Sequence, residues 1–240
     1  MQQALCDAHC HPCDKLSKTN LSVVNGTSPS NWESVIKLAR SSNKIIPAIG
    51  LHPWLVNEVA DNWQAQFLDT LSRAQVIGEI GLDYWVSNCN KERQEAALCW
   101  QLKHAAQRNI PVTLHCLRAS GTLLNILERE TIPECGFHLH AYSGSAEQVM
   151  KFVELGAYFS FHAGQLNQCS KRLITTIQSV PLERILLETD APDTLGESNN
   201  TNSFLMSGYK LLAAIKNISF EAIHEQVDSN FRRLFTNDRT

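Results

Sequence analysis

The chain has 240 residues, with 21 basic and 24 acidic side chains, a formal net charge of −3 and 43% hydrophobic residues. That apolar content is enough for a sizeable core and excludes a disordered chain. The slightly acidic balance removes the simplest route to nucleic acid, a basic surface that releases counterions from phosphates. Length alone allows one or two domains at ~150 residues each, and a single α/β barrel runs to roughly 250. The N-terminal MQQALCDAHCHP contains no basic region followed by an apolar stretch, so no secretory signal is expected. A cytoplasmic location follows as an expectation, with the eight cysteines as reduced thiols. The longest apolar runs, such as residues 45–51, fall well short of the ~18 needed to span a bilayer.

Short apolar runs alternate with longer amphipathic ones along the chain. Strands are expected at 4–9, 22–24, 45–50, 76–81, 112–115, 136–140, 157–161 and 185–188. Helices are expected at 32–42, 56–73, 93–108, 121–130, 146–155 and 170–179. Ser30 with Glu33 fits a capping box on the first helix, and Ser145 with Gln148 fits one before the 146–155 helix. In the tail, Ile223, Val227, Phe231 and Leu234 recur at helical spacing, as a helix covering a barrel end or side would require. Eight strands alternating with helices read as a parallel sheet, and the length suits one α/β domain over 1–240, a closed (β/α)8 TIM barrel. A doubly wound open sheet is the alternative.

Chemistry-bearing residues fall in a pattern on this frame. His9 and His11 close the first strand, His52 follows the third and Glu79 lies late in the fourth. His115 ends the fifth strand, His138 and His140 the sixth; His162 follows the seventh and Asp190 the eighth. Seven of nine histidines therefore sit at C-terminal strand ends, and only His104 and His224 lie in helices. Barrel enzymes build their sites at that face, so scattered residues would converge on one cavity. In extended chain, residues i and i+2 share a side, so His9 and His11 can grip one ion. Imidazole and carboxylate together suit Zn²⁺, Mn²⁺, Fe²⁺ or Co²⁺, whereas carboxylates and water alone favour Mg²⁺. Four histidines and two carboxylates exceed one tetrahedral shell, and Glu79 has two oxygens with which to bridge a pair of ions. His138 and Glu188 share the parity of His140 and Asp190 and are read as supporting residues deeper in the barrel. His162 is read as structural. Trp54, Tyr84, Trp85 and Tyr142 follow ligand-bearing segments and either line the mouth or pack beneath it.

The motifs DAHCH at 7–11, GLHP at 50–53, GEIGLDY at 78–84 and RQ at 93–94 recur in order with PVTLHC at 111–116, HLHAYSGS at 138–145, LLETDAP at 186–192 and NFRRLF at 230–235. Together they resemble the TatD-type metal-dependent hydrolases, a branch of the amidohydrolase-like barrels described as deoxyribonucleases. The resemblance implies two divalent ions, drawn from Zn, Mn, Mg or Co, bound by His9, His11, Glu79, His115, His140 and Asp190. It implies hydrolysis of DNA phosphodiester bonds by a metal-activated hydroxide, with Asp190 and Glu79 the catalytic carboxylates and His52 contacting substrate. Asp190 would accept and redirect the proton. DNA is then the expected partner; no membrane and no protein partner is implied.

Three departures stand against the family pattern. Leu117 occupies a position where many members carry Arg, with Arg118 beside it. Residues 189–209 contain no Lys or Arg, and Asp193 and Glu197 add negative charge there. A hydrolase of a small amide, lactone or phosphoester would serve the same ligands, and a degenerate binding module is a further alternative. Cys6, Cys10 and Cys13 also match the C-x3-C-x2-C spacing with which radical S-adenosylmethionine enzymes hold an iron–sulfur cluster.

Overall fold

A computed structural model describes residues 4–87, 89–195 and 200–236. The strands are β1 (Cys6–Cys10), β2 (Leu21–Gly26), β3 (Ile45–Ile49), β4 (Val76–Asp83), β5 (Val112–Leu117), β6 (Phe137–Leu139), β7 (Ala157–His162) and β8 (Ile185–Glu188). They form one parallel sheet in sequence order, the arrangement of a (β/α)8 barrel. Helices α1 (Pro29–Ser41), α2 (Trp63–Leu71), α3 (Lys91–Arg108), α4 (Ser120–Arg129), α5 (Ala146–Glu154), α6 (Ala163–Asn167), α7 (Lys171–Ser179), α8 (Thr201–Lys216) and α9 (Phe220–Phe235) complete it. The sheet is not a doubly wound open one, because its order never reverses. No helix among the described residues is long and apolar enough to cross a membrane.

The seam between first and last strands closes at the C-terminal mouth through backbone and side-chain bonds. The amide of Asp190 donates to His9 O at 2.8 Å, and that of His11 donates to Ala191 O at 2.7 Å. Buried Asp7 accepts from the Thr189 amide at 2.8 Å and the Thr189 hydroxyl at 2.7 Å. The bonds that close the barrel thus also set Asp190 beside His9 and His11. At the opposite end, Phe231, Leu234 and Phe235 of α9 join an apolar cluster with residues of β1, β2, β3, β4, β7 and β8. A cluster shared by six strands lies inside the barrel, so the tail helix plugs its floor.

Local departures from the expected elements have identifiable causes. The expected capping box of Ser30 and Glu33 is not used: α1 starts one turn earlier, with Pro29 in its first turn and Ser28 as cap. Asn31 Oδ1 accepts the amides of Thr27 and Ser28 at 2.9 and 3.2 Å, while Glu33 pairs with Arg73 at 2.7 Å. Ser145 caps α5 by position, but its side chain makes no capping bond. The expected 56–73 helix shrinks to α2: a 3-10 turn at Pro53–Leu55 follows His52, and residues 56–62 continue as turns and bends before the helix begins. Residues 189–209 are not one loop: from Thr201 they form α8, capped by Asn200, whose side chain accepts the Ser203 amide at 3.1 Å. Leu205, Tyr209 and Leu212 of that helix are buried. Glu197 lies outside the described residues.

Candidate metal centre

With Glu79 coming from the middle of β4 rather than its end, which Asp83 occupies, strands around the barrel bring six of the sequence-predicted residues to one point. Glu79 lies at its centre, and each of its oxygens faces a different set of imidazoles. Oε2 is 3.5 Å from both His9 Nε2 and His11 Nε2. Asp190 Oδ1 completes that side at 3.6 and 3.7 Å from the same two nitrogens, which are 3.3 Å apart. Oε1 faces His140 Nε2 at 2.8 Å and His115 Nδ1 at 2.9 Å, and these nitrogens are 3.0 Å apart. Gly81 explains how β4 can press so closely on β5. Its φ is +145°, and a Cβ there would lie 2.0 Å from His115 O, so only glycine fits. Asp190 itself takes a left-handed backbone, φ 51°, held by its bond to His9.

The far ring nitrogens of His11 and His115 are tied to the scaffold, which fixes which nitrogen of each faces inward. His11 Nδ1 donates to Asn25 O at 3.1 Å. His115 Nε2 donates to Asp83 Oδ2 at 3.0 Å, and Asp83 also accepts the Trp54 indole at 2.6 Å and the Trp85 amide at 2.8 Å. Gln94 clamps the Asp83 backbone with bonds of 2.9 and 3.1 Å, which gives the glutamine of the RQ pair its structural place. Gln101 accepts the Leu51 amide at 2.7 Å and so holds the segment that carries His52. Below His140, a polar chain runs through the interior. Ser160 Oγ donates to Glu188 Oε2 at 2.5 Å and accepts from His138 Nε2 at 2.6 Å. Glu188 Oε1 accepts the Ala141 amide at 2.8 Å.

Electrostatics follow from this crowding. Burial alone would raise the Glu79 carboxyl, but His140, His52 and His9 hold it well below the usual range. Burial would lower His140, yet Glu79 and Glu188 raise it well above its ordinary value. Burial lowers His9 to about 4, with the neighbouring His140 adding to the effect. Burial, with Glu188 and Glu79 nearby, raises Asp190 to about 7. Asp83 is lowered to about 2, because its bonds from His115, Trp54 and Trp85 outweigh burial.

The donor set fits divalent cations. Imidazole nitrogens pack against one another and around carboxylate oxygens at 2.8–3.7 Å, an arrangement that a shared cation stabilises. His9, His11 and Asp190 have ligand atoms within 4.8 Å of one another. The same holds for His9, His140 and Glu188, and for His52, Glu79 and His115. Two of these members are spoken for. Both Glu188 oxygens already accept strong bonds, and His52 Nδ1 accepts the Trp54 amide at 3.2 Å. The neutral His52 tautomer therefore carries its proton on Nε2, aimed at Glu79 Oε1 at 3.4 Å.

Other sequence readings divide. His138 is buried beneath the cluster, and His162 caps α6 by accepting the Gln165 amide at 3.3 Å. Tyr142 is core rather than mouth, packed on Phe152 and Phe159. Tyr84 donates to Glu95 at 2.6 Å, whereas Trp54 and Trp85 are exposed. Arg118 stacks over the Trp85 ring at 3.4 Å. The cysteine triplet does not converge: Cys6 donates to Asp228 Oδ1 at 3.2 Å, while Cys10 donates to Val23 O at 3.5 Å in a different apolar cluster. Asp83, Gln94, Gln101 and the Asp7–Thr189 clamp were missed as site supports. The GEIGLDY and RQ motifs contain two of them, Asp83 and Gln94, which bond each other, but the Asp83 side chain also reaches Trp54 and His115, 29 and 32 positions away.

Above the cluster opens a cleft of about 480 Å³, lined by His11, His52, Trp54, Glu79, His115, His140 and Asp190, with Thr27, Asn31, Ser34 and Asp193 among the rest. Residues 6–236 match the family model described as TatD related DNase. The chain belongs to the TatD-related DNase family. Its TatD-family relatives include the uncharacterized metal-dependent hydrolase YjjV of Escherichia coli K12, 35% identical over 175 residues, covering 71% of this chain and 67% of that protein. The crystal structure of the E. coli YjjV TatD homologue superposes with a TM-score of 0.86 at 28% identity, over 96% of this chain and 97% of that one. The 3'-5' ssDNA/RNA exonuclease TatD of Shigella flexneri is 31% identical over 180 residues, covering 71% of this chain and 66% of that protein.

Proposed function

We propose that this TatD-family metal-dependent hydrolase cleaves phosphodiester bonds of DNA, using one barrel that spans residues 1–240. The observation that carries the reading is the division of Glu79, whose two oxygens face two separate imidazole sets. Such a division would let one carboxylate be shared between two cations. His9, His11 and Asp190 would hold one, His115 and His140 the other, with Glu79 shared. Divalent ions at such a site supply water activation and neutralise charge on phosphoryl oxygens. The family match and the exonuclease name of one relative favour nucleic acid as substrate.

The chain's own residues have distinct tasks. Asp190, at the inner edge of the cleft, takes the proton of the attacking water. The water oxygen bonds to phosphorus as the bond to the leaving oxygen breaks, and the proton passes on to that oxygen. His52 Nε2–H, its other nitrogen occupied by the Trp54 amide, donates to a non-bridging oxygen. Eight cysteines, expected as reduced thiols, fit a reducing cytoplasm.

A second reading, hydrolysis of a small amide, lactone or phosphoester, draws on a specific feature: no lysine or arginine lines the cleft among the described residues. A panel of single-stranded DNA, duplex DNA, dinucleotides, amides and lactones, with and without chelator, separates the two. The proposal expects the highest kcat/KM on an oligonucleotide, abolished by chelation. Turnover confined to amides or lactones would replace it.

A further inference from the structure

Trp54 and Trp85 are 56% and 58% exposed, the most exposed large apolar side chains among the described residues. A single exposed apolar side chain needs no explanation. These two differ because both are tied to one buried carboxylate. The Trp54 indole N–H donates to Asp83 Oδ2 at 2.6 Å, and the Trp85 amide donates to Asp83 Oδ1 at 2.8 Å. Trp54 further meets the His52 ring edge-to-face at 4.9 Å, lies 6.1 Å from His115 and lines the cleft beside Glu79 and Asp190. Its orientation is therefore set before a ligand arrives, so little ordering cost remains on binding.

The surroundings decide what such a ring would hold. Asp190 and Asp193 line the same cleft, and no lysine or arginine does among the described residues. Arg118, the nearby cation, is engaged on the Trp85 ring at 3.4 Å. A phosphate backbone gains little from cationic side chains here, whereas a flat, uncharged base meets a fixed aromatic surface. Base–aromatic stacking changes affinity by roughly 5- to 150-fold per base. We infer that Trp54 is a stacking platform for a nucleobase adjoining the scissile phosphodiester, supplying affinity that basic side chains supply in more cationic sites. The inference rests on the DNA reading above and names the part of the substrate that the rim recognises.

The test compares a ten-nucleotide oligothymidylate with a tetrahydrofuran abasic strand of the same length and charge. Both are given to the metal-loaded protein and to its Trp54→Ala and Trp54→Phe variants. The unaltered protein is expected to show a KM at least about 10-fold lower for the base-bearing strand. Trp54→Ala should bring the ratio of the two KM values close to one. Trp54→Phe, which keeps a ring but loses the bond to Asp83, should retain most of the discrimination. Unchanged discrimination in Trp54→Ala, or equal KM values for both strands in the unaltered protein, overturns the stacking role and leaves DNA hydrolysis standing. If the unaltered protein cleaves neither strand, both readings fall.

Discussion

The floor and the rim of the cleft are built on different principles. On the floor, His11, His115 and the supporting His138 are each tied to a buried partner, and the two oxygens of Glu79 are divided between two imidazole sets. At the rim, the side chains are Trp54, Asp193, Thr27 and Ser34, with no cationic group among the described lining residues. The floor is fixed by strand register and seam closure, so it follows from the fold. The rim belongs to the segments after the strands, where sequence varies freely without cost to the barrel. Chemistry and recognition are therefore separable here: changes to the floor should move kcat, and changes to the rim should move KM.

The largest effect expected from a single substitution short of losing the ions is at Asp190. Asp190→Asn keeps shape but cannot accept a proton, and should lower kcat by about 10²- to 10⁴-fold while leaving KM for an oligonucleotide within a small factor. Single-turnover kinetics checks this, and comparable turnover would remove Asp190 from its role. Next comes Asp83, which touches no cation in this scheme but orients His115 and carries both tryptophans. Asp83→Asn should weaken metal affinity or activity by about 10- to 100-fold. Isothermal titration with Zn²⁺ would read the loss, and an unchanged affinity would confine Asp83 to the rim.

The smallest effect lies beneath the floor and concerns stability. Burial lowers His138 from its ordinary 6.5 to about 3. Between those values the unfolded chain binds a proton at His138 that the folded chain refuses, so stability falls as pH drops through this window. In metal-free protein, the drop in melting temperature from pH 7.5 to 5 should be smaller in His138→Gln than in the unaltered chain. Equal drops would mean that the imidazole titrates freely where it stands.

Much of the floor was legible in the sequence because most of the ligands lie at or just beyond strand ends, and strands show as short apolar runs, although Glu79 stands in the middle of β4. His9, His115, His140 and Asp190 could be placed from that alone. Asp83 was not, although it stands inside a quoted motif: its partner His115 is 32 positions away, and only strand register brings them together. Glu33 misled for the same reason, since Arg73, 40 positions on, takes the carboxylate that a local capping rule assigns to the helix start. Helix α8 was hidden because its first turn is polar and its buried Leu205, Tyr209 and Leu212 follow a run of Asn, Ser and Thr. Local chemistry located the strand ends; long-range contacts decided what supports them.

The central claim is that Glu79 joins two cation sites that together hydrolyse a phosphodiester. Metal content and oligonucleotide hydrolysis measured side by side, on the unaltered chain and on Glu79→Gln, test it directly. The account predicts two divalent ions per chain, hydrolysis abolished on chelation and restored by Zn²⁺ or Mn²⁺, and fewer bound ions with little hydrolysis in Glu79→Gln. Undiminished hydrolysis after complete metal removal, or two retained ions and full activity in Glu79→Gln, would contradict it.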